Sequence, residues 1–151
     1  MEYNTTSMED LRQVVKELLL EIPPNAIFEL QGHPGAGKTT LVKEAARLLD
    51  AKEPVQSPTF NIMNIYSGFY FDDSELNIFH LDCYRLSDSD FLLDLDFSEI
   101  SGNQPFYAFI EWPEKVKINF LTSGIALYSI KLDTIWSSSK HKVIKRNLTR
   151  L

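Results

Sequence analysis

The stretch that decides the fold is Ala26-Ile27-Phe28-Glu29-Leu30-Gln31-Gly32-His33-Pro34-Gly35-Ala36-Gly37-Lys38-Thr39-Thr40-Leu41. A short apolar run enters a turn that holds three of the chain's six glycines. Gly32 to Thr39 matches G-x-x-x-x-G-K-[ST] in full, the pattern of a phosphate-binding loop. Glycines let successive backbone N–H groups turn inward toward an anion, where a Cβ would hinder them. A helix starting near Lys38 adds the positive end of its dipole to the same place. Lys38 is positioned to reach β- and γ-phosphates as a point charge, and the Thr39 hydroxyl to ligate Mg²⁺. Gly35, Ala36, Gly37, Lys38, Thr39 and Thr40 are therefore the residues expected to hold a nucleotide.

Outward from this loop the pattern is helix, strand, turn, helix. Ser7 followed by Asp10 reads as a helix start, with Leu11, Val14, Val15 and Leu18 at helical spacing up to Pro23-Pro24. Lys38 to Leu49 reads as a second helix that buries Leu41, Val42, Ala45, Leu48 and Leu49. Phe60 to Tyr66, Phe69 to Phe71, Leu76 to Cys83 and Phe106 to Glu111 read as strands, with Asp72-Asp73-Ser74 as a turn. Asp88 to Asp96 is expected to be a short helix, and Ile125 to Leu132 and Lys142 to Asn147 two further strands. The expected fold is a single α/β domain over residues 1–151: a phosphate-loop NTPase-like mixed sheet with an antiparallel flank and helices on both faces.

At 151 residues, with 44% hydrophobic and 24% charged residues, the chain suits one soluble domain. A chain of this length buries roughly 70% of its unfolded surface without disulfides or a structural metal. Cys83 has no second cysteine to pair with, which fits a reducing cytoplasm. The apolar runs are too short for a transmembrane helix and the N-terminus is unlike a signal peptide, so no membrane association is expected. The net charge of −6 argues against an autonomous nucleic-acid binder. Nine acids and one base, Arg85, fall between Asp72 and Glu99, whereas Lys140, Lys142, Lys145, Arg146 and Arg150 crowd the end. This reads either as a solvated acidic face with a basic last strand, or as an acidic partner surface with a basic tail near RNA.

Three further motifs narrow the class. In Ser57-Pro58-Thr59-Phe60, Pro58 biases its neighbour away from helix and leaves the Thr59 hydroxyl free to meet Mg²⁺ or a γ-phosphate. His80-Leu81-Asp82-Cys83-Tyr84-Arg85 brings an acid to the end of an apolar strand, as a Mg²⁺-water site requires. His80 itself reads as a half-buried strand residue. Phe109-Ile110-Glu111-Trp112-Pro113-Glu114-Lys115 ends the most apolar strand in a second carboxylate, which could ligate Mg²⁺ or orient an attacking water. Trp112 reads equally as a partner anchor or a packing residue.

These four motifs, in this order and spacing over roughly residues 7 to 118, resemble the TsaE family, the phosphate-loop ATPases of bacterial tRNA threonylcarbamoyladenosine synthesis. The resemblance implies ATP and Mg²⁺ as ligands, with Lys38 and Thr39 as the loop pair and Thr59 in a first switch. It implies that Asp82 is the Walker B-like acid and that Glu111 and Trp112 belong to a second switch. It makes Lys38, Thr59, Asp82 and Glu111 catalytic candidates, and Thr39, Asp82 and Glu111 metal-ligand candidates. It also implies two protein partners, TsaB and TsaD, and at most indirect or weak contact with tRNA. TsaE-like proteins are implied to reset that complex between turnovers while TsaD transfers the threonylcarbamoyl group. Family members commonly carry an acid and an aliphatic residue where this chain has His33 and Pro34.

The alternative is a small-molecule or nucleotide kinase. Such enzymes surround the transferring phosphoryl group with cations, yet only Arg12, Arg47 and Arg85 supply arginines ahead of the tail and no lid segment is evident. A GTPase is disfavoured because the chain lacks Asn-Lys-x-Asp and Asp-x-x-Gly motifs.

Overall fold

The computed structural model describes residues 2–58, 61–86, 92–120, 125–135 and 141–148. Alternation of side chains along strand β2 (Ala26–Gln31) sends Ala26, Phe28 and Leu30 to one face of a sheet and Ile27 to the other. Strand β6 (Phe106–Glu111) pairs parallel with β2 and is buried at all six positions, as expected of a strand covered on both faces.

The remaining elements assemble around this pair. In chain order they are β1 (Glu2–Thr5), α1 (Met8–Glu21), α2 (Lys38–Leu48), β3 (Met63–Phe69), β4 (Glu75–Asp82), β5 (Leu92–Leu95), α3 (Phe97–Ile100), a 3₁₀ turn (Pro113–Lys115), β7 (Lys117–Phe120), β8 (Ala126–Ile135) and β9 (His141–Leu148). Seven strands form one sheet in the order β1-β9-β8-β2-β6-β4-β3, and β5 and β7 form a separate parallel pair. The centre, β8-β2-β6-β4, is parallel, while β3 and β9 add antiparallel to its two sides and β1 to β9. This is the expected mixed sheet, with antiparallel strands on both sides where one such flank was expected.

Helices α1 and α2 cover one face, where Leu11, Val15, Leu18, Leu41, Val42 and Ala45 pack against Phe28, Leu30, Ile78, Tyr107 and Phe109. Phe28 and Phe109 stack with ring centroids 5.1 Å apart. Among the described residues the other face carries less helix. Its cover is the single turn of α3, through Phe97, together with Leu95 and Val116, over Ile27, Phe79, Leu81, Ala108 and Ile110.

Helix α1 starts as its sequence predicts. Ser7 Oγ accepts from the Asp10 N–H at 3.0 Å, and Asp10 accepts from the Ser7 N–H at 2.9 Å, closing a capping box. Hydrogen bonds from Thr6, then Ser7, hold the Asp10 carboxyl below its ordinary range. At the far end the Tyr107 hydroxyl donates to the Ile22 carbonyl at 2.6 Å, tying the helix exit to the sheet.

Several expectations change. The helix foreseen over Asp88–Asp96 is absent from its described part: Leu92–Leu95 is strand β5, and the helix starts only at Phe97, capped by Asp96. The alternation Leu93-Asp94-Leu95-Asp96 has the period of a strand, and β7 supplies the partner that stabilises it. The candidates Phe60–Tyr66 and Phe69–Phe71 are replaced by one strand, Met63–Phe69, and the chain turns at Asp72 to Ser74, where Asp72 accepts from the Ser74 N–H and hydroxyl. His80 is fully buried, not half-buried, because alternation along β4 puts it on the face of Leu76 and Ile78, which α1 and α2 cover. Strands β1 and β7 were not foreseen. Thr59 lies outside the described residues, as do Phe60, Lys140 and Arg150.

Candidate functional site

The parallel centre directs the C-terminal ends of β2, β4 and β6 to one edge of the sheet, the place where open α/β sheets present their sites. From β2 the chain passes through Gly32–Gly37 into α2. Gly37 caps that helix at φ +103, a left-handed conformation that a Cβ would resist, and Gly35 has φ +79. With no side-chain cap at Gly37, the first N–H groups of α2 are left for whatever enters the loop.

Register sets the acids. Asp82 closes β4 and Glu111 closes β6, and their Cα atoms are paired across the parallel ladder. Thr39, in the first turn of α2, donates its hydroxyl to Glu111 Oε2 at 3.0 Å. The other Glu111 oxygen, Oε1, lies 2.9 Å from His80 Nε2, and both side chains are buried. Asp82 is more open: Oδ1 accepts from the Tyr84 N–H at 3.0 Å and Oδ2 from the Ser57 hydroxyl at 3.4 Å.

Lys38 is 4% exposed and donates to the carbonyls of Gly32 at 2.6 Å and His33 at 3.1 Å. Burial pulls its pKa below the ordinary lysine value, against the opposing charges of Glu111, Glu114 and Asp82. Its ammonium also lies over the Trp112 ring, 3.6 Å from the centroid. Trp112 has φ +58, a conformation that costs a non-glycine residue about 1–3 kcal/mol and collects at functional sites. Tyr84 packs against it at 4.9 Å.

Lys38, Thr39, Asp82, Tyr84, Glu111 and Trp112 line one cleft of about 360 Å³. Of the candidates read from sequence, Gly35, Gly37, Lys38, Thr39, Thr40, Asp82 and Glu111 all face it, while Ala36 is buried beneath. The Thr39 hydroxyl and the carboxylates of Asp82 and Glu111 are hard oxygen donors, the kind Mg²⁺ takes together with water and substrate phosphates. An ammonium, a hydroxyl and two carboxylates thus converge beside a helix N-terminus, a set able to hold a polyphosphate and its metal. Sequence reasoning missed the His80 contact and the seat of Lys38 on Trp112. The two-residue spacing of His80 and Asp82 on one strand was the available signal, since it puts both on one face. Cys83, buried behind Asp82, has its thiol pushed up to about 12, chiefly by burial, and stays protonated.

A model of the family described as "Threonylcarbamoyl adenosine biosynthesis protein TsaE" matches residues 5–143. The chain belongs to the TsaE family. Among its relatives, proteins named tRNA threonylcarbamoyladenosine biosynthesis protein TsaE are 32% identical over 117 residues in Rickettsia conorii and 30% identical over 132 residues in Rickettsia prowazekii. The first match covers 76% of this chain and 62% of the relative, so it leaves more than a third of that protein unmatched, and the second covers 86% and 85%. A relative of the same name in Aquifex aeolicus is 34% identical over 113 residues, covering 74% of this chain and 75% of its own. Among solved structures, Bacillus subtilis YdiB aligns at a TM-score of 0.60 with 18% identity, covering 99% of this chain and 86% of that one, a likeness of fold.

Proposed function

We propose that the chain is a Mg²⁺-dependent ATPase of tRNA threonylcarbamoyladenosine synthesis that acts on a TsaB–TsaD pair and supports its turnover. The observation that carries this reading is the contact of Thr39 Oγ1 with Glu111 Oε2 at 3.0 Å beside the glycine loop, with Asp82 as the register neighbour of Glu111. It joins the last residue of the loop motif to the acids of two other motifs, and family membership agrees with it.

The work divides among the residues by position. Loop N–H groups and the start of α2 bind the phosphates, and Lys38 leaves the carbonyls of Gly32 and His33 to meet the γ-phosphate. Thr39, Asp82 and Glu111 would hold Mg²⁺, which when bound neutralises charge on phosphate oxygens. Glu111, fixed beside Thr39, orients the water that attacks the γ-phosphorus as the bond to ADP breaks. The partners change conformation with this cycle, and contact with tRNA is indirect.

The test is ATP hydrolysis by the purified chain, alone and with the TsaB–TsaD pair of the same cell, against Lys38→Ala. Activity raised by the pair and lost in the variant is expected. Turnover that ignores the pair but rises with an added metabolite, with transfer of phosphate to it, would instead identify a kinase.

A further inference from the structure

We propose that His80 is the positioning residue for Glu111, an inference that rests on the ATPase reading above. His80 is 0% exposed, on the α1–α2 face of β4. Its Nε2 lies 2.9 Å from Glu111 Oε1, while its Nδ1 is buried with no hydrogen-bond partner among the described residues. A carboxylate oxygen can only accept, so Nε2 is the donor in this contact and Nδ1 is left unused. Burying a polar atom unsatisfied is unfavourable, and a leucine would fill this place without it. A histidine here makes physical sense through the one bond it does form.

That bond has a geometric role. His80 and Asp82 stand two apart on β4, with Phe109 and Glu111 as their respective Cα partners on β6. His80 therefore reaches diagonally across the ladder to the acid opposite Asp82. One strand orients both carboxylates, Asp82 directly and Glu111 through the imidazole. Glu111 has one oxygen held by Thr39 and the other by His80. The Thr39 hydroxyl is the one expected to turn to an incoming ligand. The His80 bond then remains to keep the carboxylate from rotating, as hydrogen-bonded partners do for acids at metal sites, where their loss reduces affinity or activity about 10- to 100-fold.

Two readouts test this, one of them independent of nucleotide. Imidazole ¹H–¹⁵N spectra of the ligand-free chain, with the His80 signals assigned by their loss in His80→Gln, should show a hydrogen on Nε2 and should shift in Glu111→Gln. An Nε2 that carries no hydrogen, or signals indifferent to Glu111, overturns the proposal whatever the hydrolysis assay gives. In hydrolysis with the partners present, His80→Leu should lower kcat about 10- to 100-fold with ATP affinity unchanged. His80→Gln, whose amide can donate from a similar place, should recover part of the loss, and His80→Leu added to Glu111→Gln should cost nothing further. Additive losses in that double variant, or equal losses of binding and kcat, would mean that His80 only fills space. Absence of turnover in the unmodified chain removes the ATPase reading and the role with it, while the spectra still report the contact.

Discussion

The Lys38 ammonium sits 3.6 Å from the centroid of the Trp112 ring while donating to the Gly32 and His33 carbonyls of its own loop. A cation over an indole is attracted by about 0.5–2 kcal/mol, and if the cleft takes ATP as proposed, the γ-phosphate would outcompete it as a full charge in a partly buried site. Trp112 emission should therefore change when ATP binds. Measured in a Trp136→Phe background, the change should be absent in Lys38→Ala. Emission indifferent to saturating ATP would mean that the lysine does not leave the ring.

The loop opens against a neighbouring strand. Gly32 has φ +149, and a Cβ there would stand 2.4 Å from the Leu132 carbonyl oxygen and 3.2 Å from the Ala36 Cβ. Gly32→Ala should destabilise the chain by about 1–3 kcal/mol through backbone strain alone, with the clash adding to it. A thermal melt reads the loss, and an unchanged Tm would contradict the close approach of the loop to β8.

Tyr107 links the sheet to the end of α1. Its hydroxyl donates to Ile22 O at 2.6 Å, with Leu19 O at 3.3 Å, all inside the core. Tyr107→Phe keeps the ring packing and leaves a buried carbonyl short of a donor, at a cost of about 1–3 kcal/mol. The urea midpoint should fall with the slope unchanged, and the ATP turnover proposed for the cleft should be retained.

Glu29 contributes a pH dependence of the opposite sign to the usual carboxylate. Burial raises its pKa above 4.5, the hydrogen bond from Ser129 works against this, and the charge of Glu114 adds to it. In the unfolded chain the group ionises first as pH rises, so stability present below pH 4.5 is lost as pH climbs through the folded value. Glu29→Gln keeps an acceptor for Ser129 and removes the charge. Its Tm should exceed that of the unmodified chain at neutral pH, and the difference should vanish in acid. A difference that persisted in acid would assign the effect to packing.

Much of the fold was legible because its signals are local. The capping box at Ser7 and Asp10, the helical spacing after it and the glycine loop between an apolar run and a helix each depend on residues close in sequence. Strand β6 was legible to its ends because six consecutive residues suit a fully buried position. Strands β1 and β7 were not, since four polar or mixed residues extend only because β9 and β5 offer them a ladder. The misread helix over Asp88–Asp96 has the same origin, a short leucine-rich run whose partner decides its conformation.

The sequence by itself determined which groups the site contains: a glycine turn with Lys38 and Thr39, and two acids each ending an apolar run. It could do so because these motifs are contiguous and each residue type has a distinct chemical capacity. Only the tertiary structure decided their relations. Parallel pairing of β4 with β6 made Asp82 and Glu111 register neighbours and drew His80 into the core against an acid 31 residues away, while pairing of β2 with β6 brought Thr39 to the same acid, 72 residues away. Such contacts arise from strand order and register, which non-local burial selects and no short stretch of chain encodes.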